Sequence, residues 1–262
     1  MWSFYWKMLK TNIRSQLQYK GNFIMTAFAN ASLSVLDFLL LGAVLARFDH
    51  VKGWSLYEIG VLYGIISCAM SLYRTMSAEI HEFEKYIIQG EFDQLLVRPM
   101  PPLFLLLTKR VDLGKVGGVL QGIVVLGVSL AGLFHQGEAS WLLIAYLPVA
   151  ILLGCVMMFS ISLITATTAF WTSQVKDLQA FTLYAPSNAA NYPISLYPDW
   201  LKLVFLGLLP VGFINYIPAL YLLHKGGSWY YLLVSPGVVI GYLLVALWFW
   251  RFGIKHYHST GS

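Results

Sequence analysis

Residues 141–170 read W-L-L-I-A-Y-L-P-V-A-I-L-L-G-C-V-M-M-F-S-I-S-L-I-T-A-T-T-A-F, thirty consecutive positions without an Asp, Glu, Lys or Arg. As a helix rising 1.5 Å per residue the stretch would run about 45 Å, longer than the ~30 Å hydrocarbon core of a bilayer. A helix on the surface of a water-soluble domain carries a polar face, and none is present here. The segment therefore predicts a membrane-spanning helix.

The same pattern recurs on both sides of it. Residues 23–46, 59–78, 116–134 and 232–250 are each long and apolar enough to cross. The chain as a whole is 58% hydrophobic and 11% charged, against about 25% charged residues in a typical soluble domain. Too few polar residues remain to cover a water-exposed surface, so a single transmembrane domain over 1–262 is expected. Two stretches are harder to place. Residues 173–192 are weakly apolar, whereas 201–223 are strongly apolar but interrupted by Pro210 and Pro218. Hydropathy alone favours 201–223 as the remaining span.

Ahead of the first span, Trp2, Trp6, Leu9, Ile13 and Leu17 recur at helical spacing, with Lys7, Lys10 and Arg14 on the neighbouring face. Residues 1–22 read as an amphipathic helix lying in the headgroup region. The apolar run that follows is too long for a signal peptide and lacks its cleavage site, so it is expected to be retained.

The net charge of +5 is explained by where the basic residues fall. With the N-terminus in the cytoplasm and six spans, thirteen cations lie inside: Lys7, Lys10, Arg14, Lys20, Arg74, Lys85, Arg98, Lys109, Arg110, Lys115, Lys176, Arg251 and Lys255. Arg47, Lys52, Lys202 and Lys225 lie outside. This asymmetry follows the positive-inside rule and places both termini in the cytoplasm. It does not form the basic stripe of a nucleic-acid-binding surface.

Within the spans, Gly114, Gly118 and Gly122 share one helix face and permit close approach of another backbone, and Gly237 with Gly241 repeats the spacing. Cys68 and Cys155 sit in apolar stretches and read as small hydrophobes. Asp37 is the acidic residue well inside a span. Its charge costs ~2.5 to 3.5 kcal/mol on insertion scales, so it should face a helix or water; substrate contact and a neutral carboxyl bonded between helices both fit.

The most informative stretch is 77–102, S-A-E-I-H-E-F-E-K-Y-I-I-Q-G-E-F-D-Q-L-L-V-R-P-M-P-P. Ile80, Phe83, Ile87 and Ile88 line one helical face, with Glu79, Glu82 and Glu84 mostly on the other. Gly90 is placed to end the helix, and Pro99, Pro101 and Pro102 stiffen the exit. Such a segment suits either an interfacial loop or a docking element.

Gly90 to Pro99, G-E-F-D-Q-L-L-V-R-P, resembles the Gly-x-x-Asp-x-Leu-Leu-x-Arg-Pro signature of the type-2, exporter-class permeases of ABC transporters. Tyr192-Pro193-Ile194-Ser195 through Trp200, with Pro210 and Tyr216-Ile217-Pro218-Ala219, is similar to the same family. So is the tail from Trp250 to Ser259. The resemblance implies an all-α integral membrane protein with six transmembrane helices, the N-terminal interfacial helix, a cytoplasmic coupling helix within 79–102 and an outer re-entrant hairpin. Residues 173–192 then become the fifth span and 201–223 the hairpin, marked by Pro193, Pro198, Pro210 and Pro218; a full fifth span at 201–223 is the alternative.

By the same resemblance the chain is the permease subunit of an exporter in the bacterial inner membrane. It would pair with itself or a sister permease, while a separate cytoplasmic ATPase binds ATP and magnesium. Ile80, Glu82, Phe83, Glu84, Ile87, Gly90, Glu91, Phe92, Asp93, Leu95, Leu96, Arg98 and Pro99 form the expected coupling site. Phe83, Ile87 and Phe92 would be its apolar anchors, Glu82, Glu84 or Glu91 would meet basic residues on the ATPase, and Arg98 would pair with Asp93 or Glu91.

The residues themselves indicate a non-enzyme. Gly114-Lys115 is followed by an apolar residue and lacks the preceding glycines of a P-loop. His81-Glu82-Phe83-Glu84-Lys85 lacks the second histidine of a zinc-protease helix, and no catalytic residue, metal site or cofactor is expected in this chain. His256 and His258 fall in a basic tail suited to headgroups. A secondary transporter would carry several membrane acids for ion coupling, and Asp37 is thin support for one. A non-transporting scaffold or sensor subunit is the other alternative.

Overall fold

A computed structural model describes residues 52–172 and 174–257, with isolated helical positions between Lys10 and Ser32. Most of the expected interfacial helix, most of the span at 23–46, and Asp37 lie outside the described residues. The rest is a helical assembly. Four helices are long and apolar enough to cross a membrane: Leu56–Met76, Leu113–His135, Trp141–Thr172 and Tyr231–Lys255. They correspond to the expected spans at 59–78, 116–134, 141–170 and 232–250.

Helix α1 (Leu56–Met76) opens on a reciprocal cap. The Ser55 hydroxyl accepts from the Glu58 amide at 3.3 Å, and the Glu58 carboxylate accepts from the Ser55 amide at 2.7 Å. After α1 the segment 78–109 divides into four short helices: α2 (Ala78–His81), α3 (Glu84–Ile88), α4 (Phe92–Leu96) and α5 (Pro102–Lys109). Gly90, at φ +68°, makes the reversal between α3 and α4 in a conformation that side chains other than glycine rarely adopt. Pro102 opens α5, where its missing N–H costs nothing.

Helix α6 (Val116–His135) returns antiparallel to α1. Their contact is set by small residues from both sides. A Cβ added at Gly122 would stand 2.5 Å from Cys68 Sγ and 3.1 Å from the Gly64 carbonyl, while one at Gly118 would collide with the Ser71 side chain. Ser67 Oγ donates to Gln121 Oε1 at 2.7 Å across the seam, giving the apolar interface a polar pin. The other glycine pair behaves differently. Among the described residues, nothing stands within 4 Å of a Cβ at Gly237 or Gly241, so the packing read from their spacing has no partner among those residues.

Gly137, at φ +76°, turns the chain into α7 (Trp141–Thr167), capped by the Ser140 side chain on the Leu143 amide. Helix α8 (Ala169–Thr172) completes that run. Helix α9 (Lys176–Gln179), a π turn at Ala180–Tyr184 and α10 (Ala185–Ala189) form the next rod. The chain then passes through α11 (Asp199–Leu203), a break at Leu209–Pro210 and α12 (Tyr216–Leu222) before α13 (Tyr231–Lys255).

Segments Asp199–Leu208 and Val211–Leu222 are bent by 75° to one another. Both ends of this pair attach to the residues just before or within the first turn of α1. Lys52 Nζ donates to the Ser195 carbonyl at 3.5 Å; Lys225 Nζ donates to the Gly53 carbonyl at 2.8 Å and pairs with Glu58 at 2.9 Å. Buried Asn215 fixes the middle, its amide donating to the carbonyls of Leu62 and Ala190 at 3.1 and 2.7 Å.

Two apolar clusters result. The larger joins α1, α6, α7 and the bent pair around Leu62, Met157, Ile161 and Ile214. The smaller gathers α2–α5 against the ends of α7 and α13 around Phe83, Phe92, Leu106 and Trp250.

Candidate functional site

The smaller cluster positions the segment singled out by the sequence. The Phe83 ring lies 5.5 Å from Phe92, 5.4 Å from Phe170 and 5.1 Å from Trp250, and Phe92 lies 5.0 Å from Tyr257, centroid to centroid. These are edge-on contacts in the range where aromatic quadrupoles attract. The motif at Gly90–Pro99 and the tail from Trp250, separated by some 150 residues of sequence, meet in this box.

The apolar anchors expected of this segment pack within the chain. Ile80, Phe83, Ile87, Phe92 and Leu95 are all buried inside the chain's own cluster, so their side chains are spent on holding the segment to the membrane helices. The amphipathic pattern marked a face to be covered, and Phe170 and Trp250 of this chain cover it. The apolar side chains left outside are Ile88 at 56% exposed, Leu96 at 40% and Val97 at 84%. Gln89, Gln94, Arg98 and Pro99 are exposed beside them.

The acidic residues divide in the same way. Glu84 Oε2 accepts from the amides of Val175 and Lys176 at 2.6 and 2.8 Å, so it caps the start of α9 instead of facing outward. Glu79 is buried and held by Lys85 Nζ at 2.7 Å and by the Tyr86 hydroxyl. Burial alone would raise its pKa, but Lys85 and Tyr86 outweigh that and hold the carboxyl below its ordinary value; burial and the same carboxylate push Tyr86 up. Glu82 and Glu91 remain partly exposed, 3.8 Å from Lys176 and 3.4 Å from Lys109 respectively. Lys109 takes the place expected for Arg98, which is exposed and makes no ion pair among the described residues.

His81 lies behind this surface. Its Nε2 is 2.9 Å from the Tyr184 hydroxyl and its carbonyl accepts from Gln179 Nε2 at 3.0 Å, tying α2 to the α9–α10 rod. Among the described residues no three His, Cys, Asp or Glu side chains are grouped to hold a metal ion. Of the hairpin prolines, Pro193 and Pro218 are buried, Pro198 is exposed and precedes α11, and Pro210 sits at the bend.

Glu84, Asn215 and Lys225 carry contacts that sequence reading missed. Each bridges segments at least 25 residues apart, and no local pattern announces such a partner.

Comparison with known families completes the assignment. Residues 31–261 match the ABC-2 family transporter protein family, and the chain belongs to it. No curated protein matches the sequence. With its long apolar helices, the chain is a multi-pass membrane permease of the ABC-2 transporter class.

Proposed function

We propose that this chain is the permease subunit of an ATP-driven exporter, and that the edge formed by Ile88, Leu96 and Val97 is where a separate ABC ATPase docks. The observation that carries the reading is the placement of that edge. Three apolar side chains stand exposed on, or just after, short helices whose opposite face is locked into an aromatic box with Phe170 of α8 and Trp250 of α13. A rigid mount of this kind transmits the motion of a docked subunit to the membrane helices without loss in a flexible loop. Family membership supplies the occupant, since an ABC-2 permease works with an ABC ATPase.

In this reading the rod at 176–189 lies within the fifth span, and 199–222 form a re-entrant hairpin on the outer side. The support is that Ser195 and Lys225, flanking the bent pair, both bind residues 52 to 58. A single crossing would separate them by the thickness of the bilayer. Irregular backbone at Leu209–Pro210 is tolerable there because protein surrounds it. Two permeases, identical or sister chains, then enclose the path, ATP and magnesium remain on the ATPase, and both permease termini lie in the cytoplasm.

Purification of the tagged permease from its native membrane tests the assignment. The wild type should bring down a vanadate-sensitive ATPase, and Leu96→Asp/Val97→Asp should lose it while retaining the wild-type thermal midpoint. Equal recovery of ATPase activity with both proteins would remove the docking assignment.

A further inference from the structure

A cavity of about 150 Å³ opens where the end of α1 meets α2 and the start of α6, lined chiefly by Arg74, His81, Glu82, Arg110, Asp112 and Lys115. Its volume is several times the ~30 Å³ that a water molecule occupies in the liquid. Nearly every wall residue is ionisable, in a chain where 11% of residues are charged. Three permanent cations face two carboxylates, an excess of one positive charge with His81 neutral.

The ion pairs made by Arg110 and by Glu82 are long. Arg110 and Asp112 approach only to 3.7 Å, and Glu82 is drawn toward Lys176, outside the wall, at 3.8 Å. Arg74 rests over the Tyr184 ring at 5.7 Å. His81 Nδ1 is buried without a hydrogen-bond partner. When Tyr184 donates to Nε2, the neutral ring carries its proton on Nδ1, a donor lacking an acceptor. Burial first, then Arg74, Lys115 and Lys176 against the opposing Glu82, hold the His81 pKa below its ordinary value. Like charges are therefore crowded around a hollow, the condition that an anion relieves.

We infer that this cavity binds a phosphate group, held by the guanidinium groups of Arg74 and Arg110 with Lys115 and His81 at its wall. Guanidinium forks match phosphate oxygens two at a time, and the place is right for a headgroup: Arg74 ends one membrane helix and Lys115 opens another. A phospholipid headgroup and a free phosphate present the same chemistry. The site is separate from the ATPase-docking edge, since Ile88, Leu96 and Val97 do not line it.

The test uses the full-length permease in a nonionic detergent. Its thermal midpoint is followed on titration with phosphatidylglycerol, with a phosphate-free galactolipid, and with inorganic phosphate against chloride at equal ionic strength. Arg110 is half exposed and, among the described residues, makes only the 3.7 Å ion pair, so Arg110→Gln should fold normally. It should weaken phosphate-group binding about tenfold, and Arg74→Gln/Arg110→Gln by about a hundredfold, while Lys202→Gln on the distant surface changes nothing. Stabilisation by phosphatidylglycerol alone identifies a headgroup; stabilisation by inorganic phosphate with the same arginine dependence identifies the free anion. Ring-carbon NMR of His81 adds a readout that does not depend on stability, because a bound anion must raise its pKa. Equal binding by wild type and Arg110→Gln, no preference for either phosphate source over its control, or an unmoved His81 titration would overturn the site. ATPase recovery is measured separately, so loss of this site leaves the docking reading intact.

Discussion

Glu58 and Lys225 form an ion pair at 2.9 Å with the carboxylate 1% exposed, joining the first turn of α1 to the loop that leaves the bent pair. The same carboxylate accepts from the Ser55 amide, and the ammonium also donates to the Gly53 carbonyl and stands 5.8 Å from the Trp54 ring. One lysine thus holds the bent pair to the mouth of the helix bundle. Removing a single member of a buried pair leaves its partner's charge uncompensated, at a cost of about 3 kcal/mol. Lys225→Met should lower the thermal midpoint by several degrees, and Glu58→Gln in the same chain should recover part of the loss. Additive losses in the double variant would show that the two side chains do not act as a pair.

Arg98 separates a structural role from a docking role. It is exposed, and Glu91 is 3.4 Å from Lys109, so the turn into α5 does not depend on the arginine. Arg98→Ala and Arg98→Lys should both leave stability within about 0.5 kcal/mol of wild type, as surface changes do. The effect should appear only in ATPase recovery. A fall in the thermal midpoint of both variants would return Arg98 to a role in the fold.

Glu79 gives the segment at 78–109 an acid limit. Its folded pKa lies below the usual carboxylate value because Lys85 and Tyr86 favour the anion, with Lys109 nearby acting in the same direction. The unfolded chain therefore takes up the proton first, so the stabilisation is present above about pH 4.5 and is lost as pH falls through the folded value. Glu79→Gln should lower stability at pH 7 by about 2 kcal/mol, less than for a fully enclosed pair because Lys85 is 31% exposed. It should also flatten the acid limb of the stability profile. An unchanged slope below pH 4.5 would place the acid-sensitive group elsewhere.

The long helices were legible because lipid permits only one kind of sequence at their surfaces, and α7 states it without a charged residue. The close approach of α1 and α6 was half legible: Gly118 and Gly122 announced a contact, whereas Ser71 and Cys68 on the other side did not. The segment at 78–109 shows why the site was harder. Periodicity at Ile80, Phe83 and Ile87 says that a face is covered, but the same pattern serves a face covered by Trp250 of this chain or by another protein. Val97, the most exposed apolar residue of the segment, lies outside that pattern, between the motif's two leucines and its arginine. Glu84 looked like a free surface acid because the amides it caps lie 91 and 92 residues away.

The placement of Asp199 decides between the outer hairpin and a full crossing at 201–223. Both arrangements leave α1, α6, α7 and α13 untouched, but they put Asp199 on opposite sides of the membrane. Its side chain is 96% exposed at the start of α11, whereas the Ser195 hydroxyl is buried, so Asp199 is the position to label. Cys68 and Cys155, the two cysteines of the chain, are replaced by alanine first. Glu138→Cys, in the turn between α6 and α7, then reports the side on which α1 begins, and Gln94→Cys, in α4, reports the opposite side. Lys225 is unsuitable as a control because its ammonium holds Glu58. With a membrane-impermeant thiol reagent on intact cells, Asp199→Cys should react together with Glu138→Cys, and Gln94→Cys should react only after the membrane is opened. Losing the exposed pair with Lys202 should not disturb the fold, since a solvent-facing i,i+3 contact adds little. If Asp199→Cys instead reacts together with Gln94→Cys, the chain crosses between 201 and 223. The attachments of Ser195 and Lys225 to residues 52 to 58 could not then coexist in one membrane-embedded state, and the outer hairpin would have to be abandoned.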